Sequence, residues 1–131
     1  MEVMNRTGIG DFLVKQAEAG KLFFGMSAGS IMMAEEWVRW IDPDDDATAE
    51  LFPCLGLAPV ICDTHAEEDD WVELKAALML EKNGTGGYGI PSGGCIKISP
   101  DGKIESLGGP VARYVHRGDS VEKLPDMKPG K

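Results

Sequence analysis

Residues 23–34 read FFGMSAGSIMMA, and the fold turns on how that stretch is understood. An apolar run climbs to Gly25, breaks at Ser27 among small residues, and resumes at helical spacing with Ile31, Met32 and Ala34. Gly25-Met26-Ser27-Ala28-Gly29 is a G-x-S-x-G pattern, which marks a sharp strand-to-helix turn that pushes a serine hydroxyl out from a sheet edge. Small neighbours suit such a turn, because larger side chains would strike the adjoining strand and helix. The first amides of the helix point towards whatever the hydroxyl attacks, so Ala28 N–H is a candidate oxyanion donor.

Outward from the turn, the chain alternates. Residues 9–20 (IGDFLVKQAEAG) predict a helix, with Phe12, Leu13, Gln16 and Ala17 at helical spacing and Gly20 as its stop. Residues 21–26 (KLFFGM) predict a strand buried on both faces. Residues 28–40 predict a second helix, and the acidic run at 42–50 predicts a solvated loop lacking the alternating ligands and glycine of a calcium site. Residues 57–63 (LAPVICD) predict another buried strand. Residues 66–84 predict an amphipathic helix with Trp71, Leu74, Ala77, Leu78 and Leu80 inward and Asn83-Gly84 at its end. Residues 86–90 and 112–118 predict strands. GCIKIS and KIESLG, joined by Pro100-Asp101-Gly102, predict a hairpin. From residue 122 the chain predicts a loose polar tail. This order implies an α/β fold in one domain over residues 1–131: a mostly parallel sheet with helices on both faces and an antiparallel C-terminal hairpin.

Composition removes several function classes. The chain has 131 residues, a net charge of -9 and a pI near 4.6, so its surface repels phosphate and nucleic acid is excluded as a partner. No apolar run is long enough to span a bilayer, and MEVMNRTGIG lacks a signal pattern, which implies a cytoplasmic protein without membrane partners. Three cysteines, Cys54, Cys62 and Cys95, are an odd number and argue against a disulfide framework. With His65 and His116 they make no zinc spacing, so they read as buried small hydrophobes, and no metal or organic cofactor is implied.

A serine nucleophile needs a base. His65 lies just past the strand VICD, at the C-terminal edge where sites gather in open α/β sheets, the same edge as Ser27. His116 lies inside the late strand RYVHR, where a surface or packing role is expected. For the group that orients the base, Asp63 is set aside, and Glu67 and Glu68 are possible but read first as acids opening the following helix.

GMSAGS, then DTH after a strand, then YGIPSGGCIKISPDGKIESLGGPVARYVHRGD resemble the peptidase E (aspartyl dipeptidase) and cyanophycinase family of serine peptidases. The likeness runs from about residue 9 to residue 120 and includes ELFP at 50–53. It implies a glutamine-amidotransferase-like α/β fold, here its C-terminal half, truncated at the N-terminus. It also implies Ser27 as nucleophile and His65 as general base. The third member of the family's triad is a glutamate in a G-[LI]-x-E-G turn, and Ser92 of Gly89-Ile90-Pro91-Ser92-Gly93 stands in its place. A serine hydroxyl can fix the imidazole tautomer but carries no charge, and losing that charge in a trypsin-type triad costs about 10⁴ in rate.

Two further departures matter. Members that cleave after aspartate carry an arginine near the helix after the histidine, whereas this chain has AEEDDWVELK, which disfavours an acidic cleavage-site residue. The resemblance also implies a Rossmann-like half before the elbow that supplies one oxyanion amide, and this chain is expected to lack it. The Ser27 strand would then present a bare edge, so a homodimer, or a separate N-terminal partner, is expected to cover it. The expected activity is hydrolysis of short peptides through an acyl-enzyme. Gly25 lies beside the substrate, and Glu36 (or Glu35 or Asp42) would meet the peptide amino terminus. The alternatives are a weak or inactive relative serving binding or assembly, and a small esterase.

Overall fold

Gly87 and Gly89 decide where the main helix lies. A methyl group on Gly89 would come within 2.5 Å of the Trp71 ring, and one on Gly87 within 2.9 Å of Leu74, so only bare backbone admits the helix this close. The computed structural model of the chain describes residues 1–130. That helix, α4 (Val72–Leu80), buries Leu74, Ala77 and Leu78 completely. Leu74 and Leu78 each contribute roughly 1.5–3 kcal/mol of apolar burial.

The sheet beneath it has four strands: β3 (Cys62–Thr64), β4 (Gly86–Ile90), β7 (Val111–Arg117) and β8 (Ser120–Met127), in the order β3-β4-β7-β8. β3 and β4 run parallel, with Thr64 opposite Ile90. The β4–β7 and β7–β8 pairs are antiparallel. Two hairpins stand apart, β1 (Glu36–Trp40) with β2 (Ala49–Pro53), and β5 (Cys95–Ile98) with β6 (Ile104–Leu107). The remaining helices are α1 (Glu2–Thr7), α2 (Ile9–Glu18) and α3 (Ala28–Met33).

Side chains alternate along β3 and β4 and so build two cores. On one side Ile61, Trp71, Leu74, Leu78 and Tyr114 pack with Trp37 and Val38 of β1. On the other, Cys62, Ile90 and Val111 pack with Ala34 and Val60, and the β5–β6 hairpin closes over them through Ile96, Ile98 and Ile104.

Several expectations need correction. The sheet is mixed, with one parallel pair, so parallel strands do not dominate. Residues 21–26 form no strand: Leu22, Phe24 and Met26 are 97%, 82% and 77% exposed, because no described strand pairs with this segment. The helix expected over 28–40 stops at Met33. Trp37, Val38 and Trp40, aromatic and β-branched, instead make a hairpin with ELFP. The tail expected from residue 122 is largely β8, paired along β7 as far as Met127, while its last residue, Lys131, lies outside the described residues. Residues 86–90 and 112–118 do form strands, and the hairpin about residues 100–102 is present.

Candidate active site

Ser27 sits on a tight turn between residues 21–26 and α3. Its backbone has φ 54 and ψ -127, and Gly29 N donates to Met26 O at 2.9 Å. These angles and that bond describe a type II′ turn with Ser27 at the position glycine prefers. A Cβ on Gly25 would lie 2.6 Å from Gly29 O, so the turn closes only because Gly25 is bare. Ser30 Oγ then donates to Gly25 O at 2.9 Å. Behind the turn, α3 is pinned by its last carbonyls: Leu55 N donates to Met32 O, and Leu57 N and Ala58 N to Met33 O.

His65 arrives from β3. Its amide donates to Ile90 O at 2.8 Å, extending the β3–β4 ladder by one bond, and its backbone then turns to φ 43. The imidazole Nε2 lies 2.8 Å from Ser27 Oγ, across 38 residues of chain. For the hydroxyl to donate to Nε2, the ring proton must be on Nδ1, and a third group must receive it there.

Ser92 lies two residues past Ile90, at the neighbouring strand end, and lines the same cleft as Ser27 and His65. Its amide donates to Glu67 Oε1 at 3.0 Å. That bond chiefly, helped by Glu67's own amide and the Ser92 hydroxyl, holds the Glu67 carboxyl below its ordinary range, and the nearby His65 ring adds to it. Glu67 is therefore an ionised acid at the edge of the site. The sequence ranked it below a helix-opening role. The signal available was its place two residues after His65, on the short turn Glu67–Asp69 that precedes α4.

The cleft has a volume of about 1010 Å³ and is lined by residues 20–27 on one wall and by Val60, Ile90, Ile96 and Ile98 on the other. Lys21 is the one lysine in its lining, which holds no arginine, aspartate or glutamate among the described residues. Gly25 lines this cleft, and Ala28 opens α3, where first-turn amides have no partner within the helix. Glu36 does not reach the cleft. It lies on β1, close enough to Glu81 to raise that carboxyl after burial has done so first. Glu35 and Asp42 are exposed away from it, and Asp42 is tied to Thr48.

Other titratable groups serve the scaffold. Asp63 is 5% exposed, with Oδ1 accepting from Thr64 N and Oδ2 without a partner among the described residues. Burial pushes its carboxyl up to about 6 against the lowering effect of the Thr64 amide. His116 is buried with its ring nitrogens 2.8 and 3.0 Å from the carbonyls of Glu81 and Gly118, a packing role. Cys62 is buried and its thiol is pushed up to about 12, first by burial, whereas Cys95 is exposed, contrary to expectation.

A serine on a strained II′ turn, bonded to an imidazole at a neighbouring strand end, is the arrangement found in serine-hydrolase sites. The family model of peptidase family S51 matches residues 1–106, and the chain belongs to that family of serine-peptidase-type hydrolases. Comparison with curated proteins and with solved structures gave no match. No helix among the described residues is long and apolar enough to cross a membrane.

Proposed function

We propose that this chain is a serine hydrolase of short peptides that works through an acyl-enzyme. Ser27 Oγ attacks the scissile carbonyl carbon while its proton passes to His65 Nε2. Ala28 N–H donates to the developing oxyanion, and Ser92 steadies the imidazole. The C–N bond then breaks as His65 returns the proton to the leaving amine. Water, deprotonated by the same ring, attacks the acyl carbon; the bond from that carbon to Ser27 Oγ breaks, the carboxylic acid leaves, and His65 returns the proton to Ser27 Oγ. The observation that carries this reading is the 2.8 Å contact between Ser27 Oγ and His65 Nε2. The largely apolar lining of the cleft supports apolar side chains at the cleavage site, and Lys21 is the cation there that an acidic side chain would meet.

The test is a fluorophosphonate probe. Mass is expected to add at Ser27, and His65→Ala is expected to abolish the adduct. Absence of labelling at every pH would refute the hydrolase and favour the second reading, a weak or inactive relative that binds or assembles. That second reading draws its support from an uncharged Ser92 where the family has an acid. A panel of dipeptides against simple esters separates peptidase from esterase.

We also propose that the segment 21–26 is covered in solution by a second copy of the chain or by a separate polypeptide. Its exposed Leu22, Phe24 and Met26 support this.

A further inference from the structure

We infer that Glu67 is the acid of this site: a positioning residue that supplies, beside and through Ser92, the negative charge that Ser92 lacks. This rests on the reading of His65 as the base.

Three geometric facts converge. The parallel register sets Thr64 against Ile90, and the His65 amide adds one more bond to Ile90 O. His65 and Ser92 therefore leave adjacent strand ends side by side and line one cleft. Glu67, two residues beyond His65, reaches back across that gap and accepts the Ser92 amide at 3.0 Å. One strand end thus carries both the base and a carboxylate, and that carboxylate is fixed to the other strand end at the family's acid position. The chemistry fits the need. With the Ser27 hydroxyl donating to Nε2, the Nδ1 proton points away from the nucleophile and requires an acceptor. A hydroxyl at position 92 can accept it while its own proton goes to a carboxylate, so the charge sits one bond further out than in a Ser-His-Glu triad.

Two other acids lie close in sequence. Asp63 faces the α4 side of β3, near Asp69 and Glu73; burial pushes its carboxyl towards the uncharged form, though the His65 ring also acts on it, and one of its oxygens is used by the Thr64 amide. Glu68 is exposed and has no bond to either strand end among the described residues. Glu68→Gln therefore removes the same charge from the same turn without touching the proposed link, and it is the control.

The experiment follows the ring signals of His65 by NMR against pH, alongside the rate of fluorophosphonate labelling at Ser27. Glu67→Gln keeps an acceptor for the Ser92 amide and loses only the charge. It is expected to move the midpoint of the His65 signals down by about half a pH unit, the size of one unscreened charge at short range in a wet site. It is also expected to slow labelling about 10-fold or more. Glu68→Gln is expected to do neither. Adding Ser92→Glu to Glu67→Gln returns an acid to the family's position and is expected to restore both readouts. A Glu67→Gln midpoint that coincides with the parent's overturns the inference, whatever the labelling rate does. So does an equal shift in Glu68→Gln, which would make the effect one of general charge. A parent that is never labelled, yet whose His65 midpoint falls specifically in Glu67→Gln, overturns the hydrolase and upholds the position of Glu67.

Discussion

Ser27→Gly is expected to make the protein more stable and inert. Ser27 holds φ 54 with ψ -127, a region that L side chains rarely adopt. Such strain costs of order 1–3 kcal/mol, about 1 kcal/mol of which glycine gives back as chain entropy in the unfolded state. A net gain of about 1 kcal/mol remains. With an unfolding entropy of roughly 2.1 cal/mol/K for each residue, a chain this long would melt about 4 °C higher. The comparison that isolates the backbone is Ser27→Ala. Both variants lose the bond to His65 and both abolish labelling, but alanine keeps the Cβ and hence the strain. Differential scanning calorimetry of the three proteins measures the difference directly. If glycine melts at or below alanine, the strain assigned to the elbow is not there, and the argument for a turn forced into a costly shape to present its hydroxyl fails.

Three other outcomes follow from particular contacts. Gly25→Ala puts a methyl 2.6 Å from the carbonyl of Gly29, which as backbone cannot step aside; a loss of about 1–3 kcal/mol by urea unfolding and a collapse of labelling are expected, and unchanged labelling would refute the packing. Asp63 takes up a proton more readily folded than unfolded, so its charge handicaps the native state increasingly as pH rises from about 4 to about 6. Asp63→Asn is therefore expected to gain up to about 3 kcal/mol at neutral pH and almost nothing near pH 4, and a gain independent of pH would refute the assignment. Leu22→Glu with Phe24→Glu is expected to turn an associating parent into a monomer by sedimentation velocity, whereas a parent already monomeric at micromolar concentration would refute the covered edge.

The serine turn and the histidine it meets were legible because their signals are local. Two glycines around a serine leave little freedom in how the turn closes, and a histidine just past an apolar run had to emerge at a strand end. The hairpin about residues 100–102 was equally plain, its turn residues lying between two β-rich segments. The second helix was misread because AGSIMMAEEWVRW keeps a helical rhythm through residue 40, and only pairing with ELFP, ten and more residues on, favours the strand. Strand β8 was hidden for the same reason: Lys123, Pro125 and Asp126 look like a tail until β7 supplies the partner. Residues 21–26 erred in the opposite direction. Their composition is that of a buried strand, but composition cannot create a neighbour. Glu67 was visible as an acid and undervalued, since only the β3–β4 register reveals how near it comes to Ser92.

Ser27 and His65 are mounted very differently. The imidazole rides on a hydrogen-bonded ladder, while the hydroxyl is carried by six helical residues gripped from behind and preceded by a segment that no described strand pairs with. Warming should therefore loosen the nucleophile's mount while the ladder still stands. The Ser27–His65 contact would then be lost at temperatures where the sheet's amides remain protected from exchange, and anything that clasped residues 21–26 would brace it.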